Sequence, residues 1–249
     1  MMNNNIHPTA IIGDSVILGQ NNTIGPYVVI EGNIVIGNDN YIGAFTRIIN
    51  NVEIENSNRF DGYVTIGSLG EMGAKGDVFV EDGKVIIGSN NTFREFININ
   101  SPVRRKTTKI GNKCYFMART YLPHDVHFGD NVTMATNAVV GGGCIVEDYV
   151  YLGLNSAVHQ WTDLGESCMI GLQAAVTKPI PPFCIVTGVP ARILKLNEVG
   201  LQRRGFDSAV IEEAKASLKS ALNSSYNGEN AILQKISAFI LKYPESLVK

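Results

Sequence analysis

The chain contains four histidines, and one of them stands in a setting suited to proton transfer. They are His7, His124, His127 and His159, and His124 is followed directly by Asp125 in the segment YLPHDV. Histidine is the side chain best suited to accept a proton at neutral pH. A neighbouring carboxylate can fix the tautomer of the imidazole. We therefore take His124 as a candidate general base and Asp125 as the residue that orients it.

A six-residue repeat of large apolar residues indicates which elements position these side chains. The repeat runs from Ile6 to Ile66, resumes from Ile87 to Ile99, and runs again from Ile110 to Val176. Neither a helix nor an ordinary sheet produces this spacing. Hexapeptide periodicity is typical of a parallel β-helix, in which short strands coil and stack. Glycine or asparagine often follows the repeat position, which we attribute to the positive φ that a sharp corner requires.

Three strands make one coil, so residues eighteen apart in the sequence lie above one another, roughly 4.8 Å apart. Stepping from His124 in this register leads to Gly142 and then to Gln160, with His159 beside the stack. A glycine above the histidine leaves space for a reacting carbonyl, and its N–H is available to an oxyanion. The arrangement suits acyl transfer, in which His124 accepts a proton from the attacking hydroxyl or amine.

Two insertions and a change of period divide the chain. Residues 67–86 are polar and rich in glycine, and residues 100–109 are basic; we expect both to leave the β-helix as loops. Prolines near the end of the repeat disfavour further regular strand. Asp207 can cap a helix, and a helical pattern of apolar residues follows it. We therefore expect a β-helix over residues 1–188 and an α-helical tail over residues 189–249.

Composition narrows the classes of function. A net charge of −2 and a pI of about 6.1 give no electrostatic case for nucleic acid or an anionic membrane. The N-terminus lacks the pattern of a signal peptide, and no apolar run approaches the roughly 20 residues that span a bilayer. We therefore expect a cytoplasmic protein. The four cysteines show no CxxC spacing, and we expect no metal site.

Five motifs carry a resemblance to a known family. HPTAII, IGPYVVI, YLPHDVHFGDNV, AVHQW and GLQRRGF occur in this order. Together they resemble the UDP-N-acetylglucosamine O-acyltransferases of lipid A biosynthesis, over nearly the whole chain. The resemblance implies a homotrimer of left-handed parallel β-helices with an α-helical tail. It also implies transfer of a 3-hydroxyacyl group from acyl carrier protein to a sugar hydroxyl. Outward aromatic residues such as Tyr115, Tyr151 and Trp161 are consistent with a covered face.

The resemblance also assigns roles to individual residues. His124 falls on the general base of the family's HxxHD motif, Asp125 on the residue that orients it, and Gly142 on the oxyanion glycine. The family's VHQ motif, which lies near the ligands, falls on His159 and Gln160. The family's tail positions for nucleotide and phosphate recognition fall on Asn197, Arg203 and Arg204. No permanently bound cofactor or metal is implied.

The departures from the family concern the substrates. Tyr121, which we retain as a substrate contact, replaces the first histidine of HxxHD, and Gly143 stands where the family's AGH motif has its histidine. The DLKY and HRGT segments are absent, and the insertions read EMGAKG and NINSPVRR instead. The base and oxyanion positions survive. We therefore expect the proton-transfer chemistry to be retained and the substrates to differ.

Two leucines bear on the acyl group. Leu154 and Leu172 stand where the family has glycines along its acyl groove, and their spacing stacks them on one face. Burying each further methylene of an acyl chain is worth only about 0.8 kcal/mol. Forcing it into filled space costs about 1–3 kcal/mol. We therefore expect a short acyl donor such as acetyl, carried by coenzyme A rather than by acyl carrier protein.

Three hypotheses follow. The first is a short-chain N-acyltransferase that acts on a nucleotide-linked amino sugar for surface polysaccharide. Its alternative is UDP-N-acetylglucosamine 3-O-acyltransferase of lipid A biosynthesis, with 3-hydroxyacyl acyl carrier protein as donor. The third is a structural or carbonic-anhydrase-like β-helix. A carbonic-anhydrase-like metal site needs about three converging histidines. His124 and His127 fall at different corners of the repeat, which disfavours such a site.

Overall fold

The strands form a parallel β-helix, as the hexapeptide repeat predicts. The computed structural model describes residues 4–71, 80–223, 226 and 228–244. Each coil has three short strands, and the repeat residues point inward. Ile42, Phe60 and Phe116, for example, are fully buried. Burying one such side chain stabilises the fold by roughly 1.5–3 kcal/mol, so the stacked coils share one continuous apolar core.

The first face of the β-helix is a single sheet whose ten parallel strands are followed by one antiparallel strand. Its strands are β1 (Asn5–Ile6), β4 (Thr23–Ile24), β6 (Tyr41–Ile42), β8 (Arg59–Phe60), β11 (Thr92–Phe93), β14 (Tyr115–Phe116), β17 (Thr133–Met134), β20 (Tyr151–Leu152), β23 (Met169–Ile170), β25 (Cys184–Thr187) and β26 (Arg192–Leu196).

The second and third faces belong to one sheet, because β5 (Val29–Ile36) and β7 (Arg47–Ile54) continue around the corner between them. The second face also contains β2 (Ile11–Ile12), β9 (Thr65–Ser68), β12 (Asn98–Asn100), β15 (Tyr121–Leu122), β18 (Val139–Val140), β21 (Ala157–Val158) and β24 (Ala175–Val176). The third face also contains β3 (Ile17–Leu18), β10 (Lys84–Ile87), β13 (Thr107–Ile110), β16 (His127–Phe128), β19 (Ile145–Val146) and β22 (Asp163–Leu164).

The corners correct one detail of the sequence analysis. Positive φ falls mainly on the third residue after the repeat position, such as Tyr27 with a φ of 57° and Asn137 with a φ of 61°. The glycine directly after the repeat position is needed for a different reason. A β-carbon at Gly43 would lie 2.6–2.7 Å from backbone atoms of Phe60 and Asp61 in the next coil. Close stacking of coils, rather than backbone freedom, therefore selects glycine there.

Both insertions leave the β-helix at the same corner. The first connects β9 to β10 and the second connects β12 to β13, so each runs from the second face to the third. The strands extend a little into both predicted insertions. Residues 72–79 of the first insertion, which include most of the EMGAKG segment, lie outside the described residues. In the coil after the second insertion, His124 lies at this same corner, between β15 and β16.

The tail begins with a strand that the sequence analysis missed. Strand β26 pairs antiparallel with β25 and so extends the first face beyond the prolines. Three helices follow: α1 (Glu198–Arg203), α2 (Ser208–Asn223) and α3 (Ala231–Lys242). The Asp207 carboxylate accepts the N–H of Ala209 at 2.8 Å, which confirms the predicted cap of α2. No helix in the described ranges is long and apolar enough to cross a membrane.

Candidate active site

The sequence-predicted site residues lie at three different places around the β-helix. The His124 corner, between the second and third faces, comprises residues 123–125, 141–143 and 159–161. The leucine corner, between the first and second faces, comprises residues 153–155 and 171–173. The tail groove lies on the first face, where the tail crosses the last coils, and is lined by Thr133, Tyr149, Tyr151, Met169, Asn197 and Arg203 among others.

His124 and Asp125 form a hydrogen-bonded pair. Nδ1 of His124 lies 2.8 Å from Oδ2 of Asp125, and the histidine side chain is 12% exposed. Because an ionised carboxylate only accepts hydrogen bonds, the neutral imidazole carries its proton on Nδ1, and its Nε2 has the free lone pair. Within the described residues Nε2 has no hydrogen-bond partner. The imidazole is therefore oriented as a general base requires.

The second insertion holds the Asp125 carboxylate in place. Oδ1 accepts the backbone N–H groups of Val103, Arg104 and Arg105 at 3.0, 3.0 and 2.7 Å. The N–H of Asp125 in turn donates to Oγ1 of Thr108 at 2.9 Å. Asp125 is fully buried, so these contacts replace the water that an exposed carboxylate would bind. The second insertion thus holds Asp125 in place, and Asp125 in turn orients the imidazole of His124.

The same contacts decide the charge of Asp125. Burial acts to raise the pKa of this carboxyl, but the hydrogen bonds from His124 and from the three backbone N–H groups outweigh it. The net result is a pKa below the ordinary aspartate value. Asp125 therefore stays ionised near neutral pH and keeps its proton-accepting position opposite Nδ1.

Gly142 lies directly against the imidazole, as the register predicts. A β-carbon at Gly142 would overlap Cε1 of His124 and lie 2.7 Å from Nε2. The carbonyl of Gly142 accepts the N–H of Trp161 at 2.9 Å, while its own N–H has no acceptor among the described residues. A free N–H beside the base is where an oxyanion donor is needed.

The departure at Gly143 has a packing explanation. The ring of Trp161 covers this glycine, and a β-carbon there would lie 2.5–2.6 Å from two of the ring carbons. Gly143 also adopts a φ of 74°, which disfavours other residues. A histidine at this position would collide with Trp161. The tryptophan therefore occupies the space that the missing side chain would need.

Two arginines that the sequence analysis did not single out adjoin the pair. The guanidinium carbons of Arg105 and Arg104 lie 5.1 and 5.7 Å from a ring centre of Trp161. Nη1 of Arg105 donates to the carbonyl of Asp125 at 2.7 Å. The basic NSPVRR segment was the available signal. Its importance depends on the insertion folding back on the His124 corner, which the repeat does not specify.

Tyr121 binds the starts of the two insertions together. Its hydroxyl donates to Oδ1 of Asn100 at 2.7 Å, and Nδ2 of Asn100 donates to Oγ of Ser68 at 2.9 Å. Burial, with the neighbouring Glu71 carboxylate, raises the pKa of Tyr121 to about 12. The tyrosine is therefore a neutral donor that anchors the insertions. Its role as a substrate contact stays a prediction.

His159 and Gln160 are exposed one coil above Gly142. Nδ1 of His159 lies 3.2 Å from the carbonyl of Gln160. His127 lies instead on β16 of the third face, where its Nε2 is 3.1 Å from Oγ1 of Thr107. Burial lowers the pKa of His127. The described part of the chain contains no group of three or more His, Cys, Asp or Glu side chains that could hold a metal.

The tail groove has a volume of about 620 Å³. Two of its predicted ligand contacts are engaged within the protein. Nη1 of Arg204 lies 2.5 Å from Oε1 of Glu166 and donates to Oγ of Ser167 at 2.8 Å. The guanidinium also stacks on Tyr149, at 4.2 Å from the ring centre. Asn197 caps α1 through its Oδ1 and donates from Nδ2 to the carbonyl of Ser167.

Arg203 differs from its neighbour. It is exposed and lines the groove, and no ion pair within the described residues engages it. Of the three tail residues, Arg203 is therefore the one whose charge is available to a ligand.

The leucine corner is open to solvent in the single chain. Leu154 and Leu172 are 50% and 66% exposed, and the N–H of Gln173 bonds the carbonyl of Leu154 at 2.8 Å. The predicted stacking of the two coils is therefore present. The corner is not the one that carries His124, so the predicted acyl groove does not meet the base within a single chain.

The comparisons with known proteins agree with this geometry. Residues 180–246 match the family described as UDP-N-acetylglucosamine O-acyltransferase, domain 2. An acyl-[acyl-carrier-protein]–UDP-N-acetylglucosamine O-acyltransferase from Campylobacter concisus is 35% identical over 222 residues, which cover 88% of this chain and 83% of the relative. The chain belongs to the UDP-N-acetylglucosamine O-acyltransferase family.

Solved structures give the same result. The UDP-N-acetylglucosamine acyltransferase of Campylobacter jejuni superposes with a TM-score of 0.87 at 30% identity, over 97% of both chains. The enzyme of Francisella novicida superposes with a TM-score of 0.85 at 27% identity, over 97% of this chain and 91% of that one. The predicted family, left-handed β-helix and acyltransferase class are confirmed. The relatives support the O-acyltransferase alternative better than the short-chain N-acyltransferase hypothesis.

Proposed function

We propose that this protein transfers a 3-hydroxyacyl group from acyl carrier protein to the 3-hydroxyl of UDP-N-acetylglucosamine. One observation carries the proposal: the pair of His124 and Asp125, 2.8 Å apart, lies against Gly142 in a member of this family. No metal or permanently bound cofactor enters the reaction that we propose.

Three residues of the His124 corner, His124, Asp125 and Gly142, each have a step in this reaction. Nε2 of His124 removes the proton from the sugar hydroxyl as its oxygen attacks the thioester carbonyl. The N–H of Gly142 donates to the oxyanion of the tetrahedral intermediate. When the intermediate collapses, the C–S bond breaks and the imidazolium returns its proton to the thiolate. Asp125, ionised and buried, stabilises the imidazolium in between.

Recognition of the nucleotide falls to the tail groove. We assign Arg203 to the diphosphate because no ion pair among the described residues engages it, and Asn197 and Arg204 to shaping the groove. We assign His159 and Gln160 to the acceptor because they are exposed beside Gly142. In this proposal residues 1–188 form the acyltransferase domain, and residues 189–249 form the C-terminal helical domain, which supplies the nucleotide contacts.

The separation of the three places supports a homotrimer. The His124 corner, the tail groove and the leucine corner lie at different positions around one β-helix, so one chain cannot join them. A ring of identical chains presents a different corner of each chain at every interface. We propose that the active site forms between neighbouring protomers, with His124 from one and Arg203 from the other.

A shorter acyl group is the second candidate. Leu154 and Leu172 project from the leucine corner and, in a trimer, would narrow any groove that this corner lines. The two leucines therefore affect the length of the acyl chain, and not whether the acceptor atom is nitrogen or oxygen.

Mass spectrometry of products from a matrix of donors and acceptors tests the proposal. The donors are 3-hydroxyacyl acyl carrier proteins of several lengths and acetyl-CoA, and the acceptors are UDP-N-acetylglucosamine and UDP- and dTDP-amino sugars. We expect a 3-hydroxyacyl ester of UDP-N-acetylglucosamine that the His124→Ala protein does not form. Acetylation of an amino sugar alone would contradict the proposal and establish the short-chain N-acyltransferase.

A further inference from the structure

Two guanidinium groups lie beside the proton-transfer pair with no carboxylate partner among the residues that the structure describes. They belong to Arg104 and Arg105 of the second insertion, and both lie over the ring of Trp161. Arg59, Arg94 and Arg204 by contrast each form an ion pair with a carboxylate. The charge of these two arginines is thus available beside the pair of His124 and Asp125.

The positions of both arginines are fixed by their own backbone. The N–H groups of Arg104 and Arg105 both donate to the Asp125 carboxylate, at 3.0 and 2.7 Å. Nη1 of Arg105 donates to the carbonyl of Asp125, and Trp161 is itself seated on Gly143. Holding a guanidinium in place before a ligand arrives reduces the entropy lost on binding. The backbone of both arginines and the guanidinium of Arg105 are therefore held beside the catalytic pair.

Arginine is the side chain that best fits an anionic oxygen group. Its planar fork binds phosphate or carboxylate through two parallel hydrogen bonds, and an indole face holds it flat. Arg204 in the tail groove is already neutralised by Glu166, so that groove offers less free charge than its sequence suggests. The two arginines at the His124 corner supply charge at a second position.

We propose that Arg104, Arg105 and Trp161 form an anion-binding platform for the acceptor sugar nucleotide. The acceptor presents a phosphate or a carboxylate to the two guanidiniums while His124 removes the proton from the attacking hydroxyl of the acceptor. Two sources have this chemistry: the diphosphate of the nucleotide, which the platform would share with Arg203 of the neighbouring protomer, and a carboxylate on the sugar ring. The inference rests on the proposed function for the identity of the acceptor, but its test does not need turnover.

Trp161 is the single tryptophan of the chain, so its fluorescence reports directly on the platform. The probes are UDP, UDP-N-acetylglucosamine and UDP-N-acetylglucosaminuronic acid, titrated into the whole protein. The variants are Arg104→Ala, which removes one charge, and Arg105→Lys, which keeps the charge but loses the planar fork. Lys106→Ala is the matched control, because this exposed residue of the same insertion bonds the carbonyl of Glu81 instead.

We expect a change in Trp161 fluorescence on binding and a dissociation constant about tenfold higher in Arg104→Ala, since a charged hydrogen bond is lost. Arg105→Lys should also weaken binding, whereas Lys106→Ala should stay within about twofold of the unaltered protein. A loss for all three probes identifies the diphosphate as the bound group. A loss confined to the uronic acid identifies the sugar carboxylate.

Equal affinities of Arg104→Ala, Arg105→Lys and Lys106→Ala for every probe would overturn the platform. The unfolding temperature of each variant separates this result from a folding defect. The platform and the proposed function also fail separately. Binding that depends on Arg104 without any acyl transfer would contradict the proposed function alone. Acyl transfer with an unchanged KM for UDP-N-acetylglucosamine, together with unchanged affinities, would contradict the platform alone.

Discussion

Charged residues do different work at the His124 corner and in the tail groove. In the tail groove, Arg204 and Asn197 match family positions, yet Arg204 is engaged by Glu166 and Ser167, and Asn197 donates to the carbonyl of Ser167. At the His124 corner, Arg104 and Arg105 match no family motif, yet their guanidiniums have no carboxylate partner among the described residues. A matching motif therefore does not by itself show that a side chain is free to bind substrate.

The two regions also differ in how they are assembled. The His124 corner is held by backbone N–H groups of the second insertion. These hydrogen bonds do not depend on which side chain each residue has. The tail groove is held by side-chain ion pairs between the tail and the last coils, among them those of Glu166 with Arg204 and Lys235. Substituting side chains of the insertion should therefore leave the Asp125 contacts in place, whereas substitutions in the tail groove should affect both stability and binding.

Replacing the base should have the largest effect. His124→Ala should lower kcat by at least about 10²-fold, because Nε2 of His124 accepts the proton in the proposed reaction. His7→Ala is the matched control, since His7 is exposed in the first coil. Steady-state rates with saturating donor measure both. Unchanged turnover in His124→Ala would remove this corner from the mechanism.

Asp125→Asn should reduce kcat by about 10²-fold, because the amide no longer enforces the Nδ1–H tautomer. It should also change the dependence of stability on pH. The pKa of Asp125 is lowered in the folded protein, so its stabilising effect is full above the ordinary aspartate pKa. That effect is lost as the pH falls through the lowered value.

Thermal unfolding between neutral and acidic pH measures this second effect. The unaltered protein should exceed Asp125→Asn in stability by about 1–3 kcal/mol near neutral pH. The difference should shrink on acidification. A difference that stays constant with pH would show that the ionised carboxylate contributes nothing to the fold.

The two tail arginines should separate binding from stability. Arg203→Ala should raise the KM for the acceptor about tenfold with little change in unfolding temperature, because its charge is free. Arg204→Ala should lower the free energy of unfolding by about 1.5–3 kcal/mol, because Glu166 and Ser167 lose a charged donor. Kinetics and thermal unfolding of both proteins test this. A loss of stability in Arg203→Ala and a raised KM in Arg204→Ala would contradict the different roles of the two arginines.

The smallest effect is expected at the leucine corner. Leu172→Gly should move the donor profile a few-fold towards longer acyl chains, since it removes a side chain from the proposed groove. Leu241→Gly is not a suitable control, because glycine would weaken α3. Leu194→Gly, an exposed leucine of β26, is a better one. A donor profile that does not change in Leu172→Gly would remove the leucines from chain-length selection.

The sequence predicts the parts of the molecule that follow the repeat. The period of eighteen placed Gly142 against His124, and the cap at Asp207 placed α2 correctly. The cradle around Asp125 was not predictable, because the second insertion interrupts the repeat and nothing in its spacing specifies where it folds back. The pairing of Arg204 with Glu166 was missed for a similar reason, since it depends on how the tail crosses the last coils.

Mixed oligomers test most directly the claim that the two regions are halves of one active site. His124→Ala and Arg203→Ala proteins, each weakly active alone, are coexpressed with different tags, and the mixed species is assayed at low acceptor concentration. If each site takes His124 from one chain and Arg203 from the next, every mixed trimer contains one intact site of three and should show about a third of the wild-type rate. A rate equal to the mean of the two parents would show that each chain works alone.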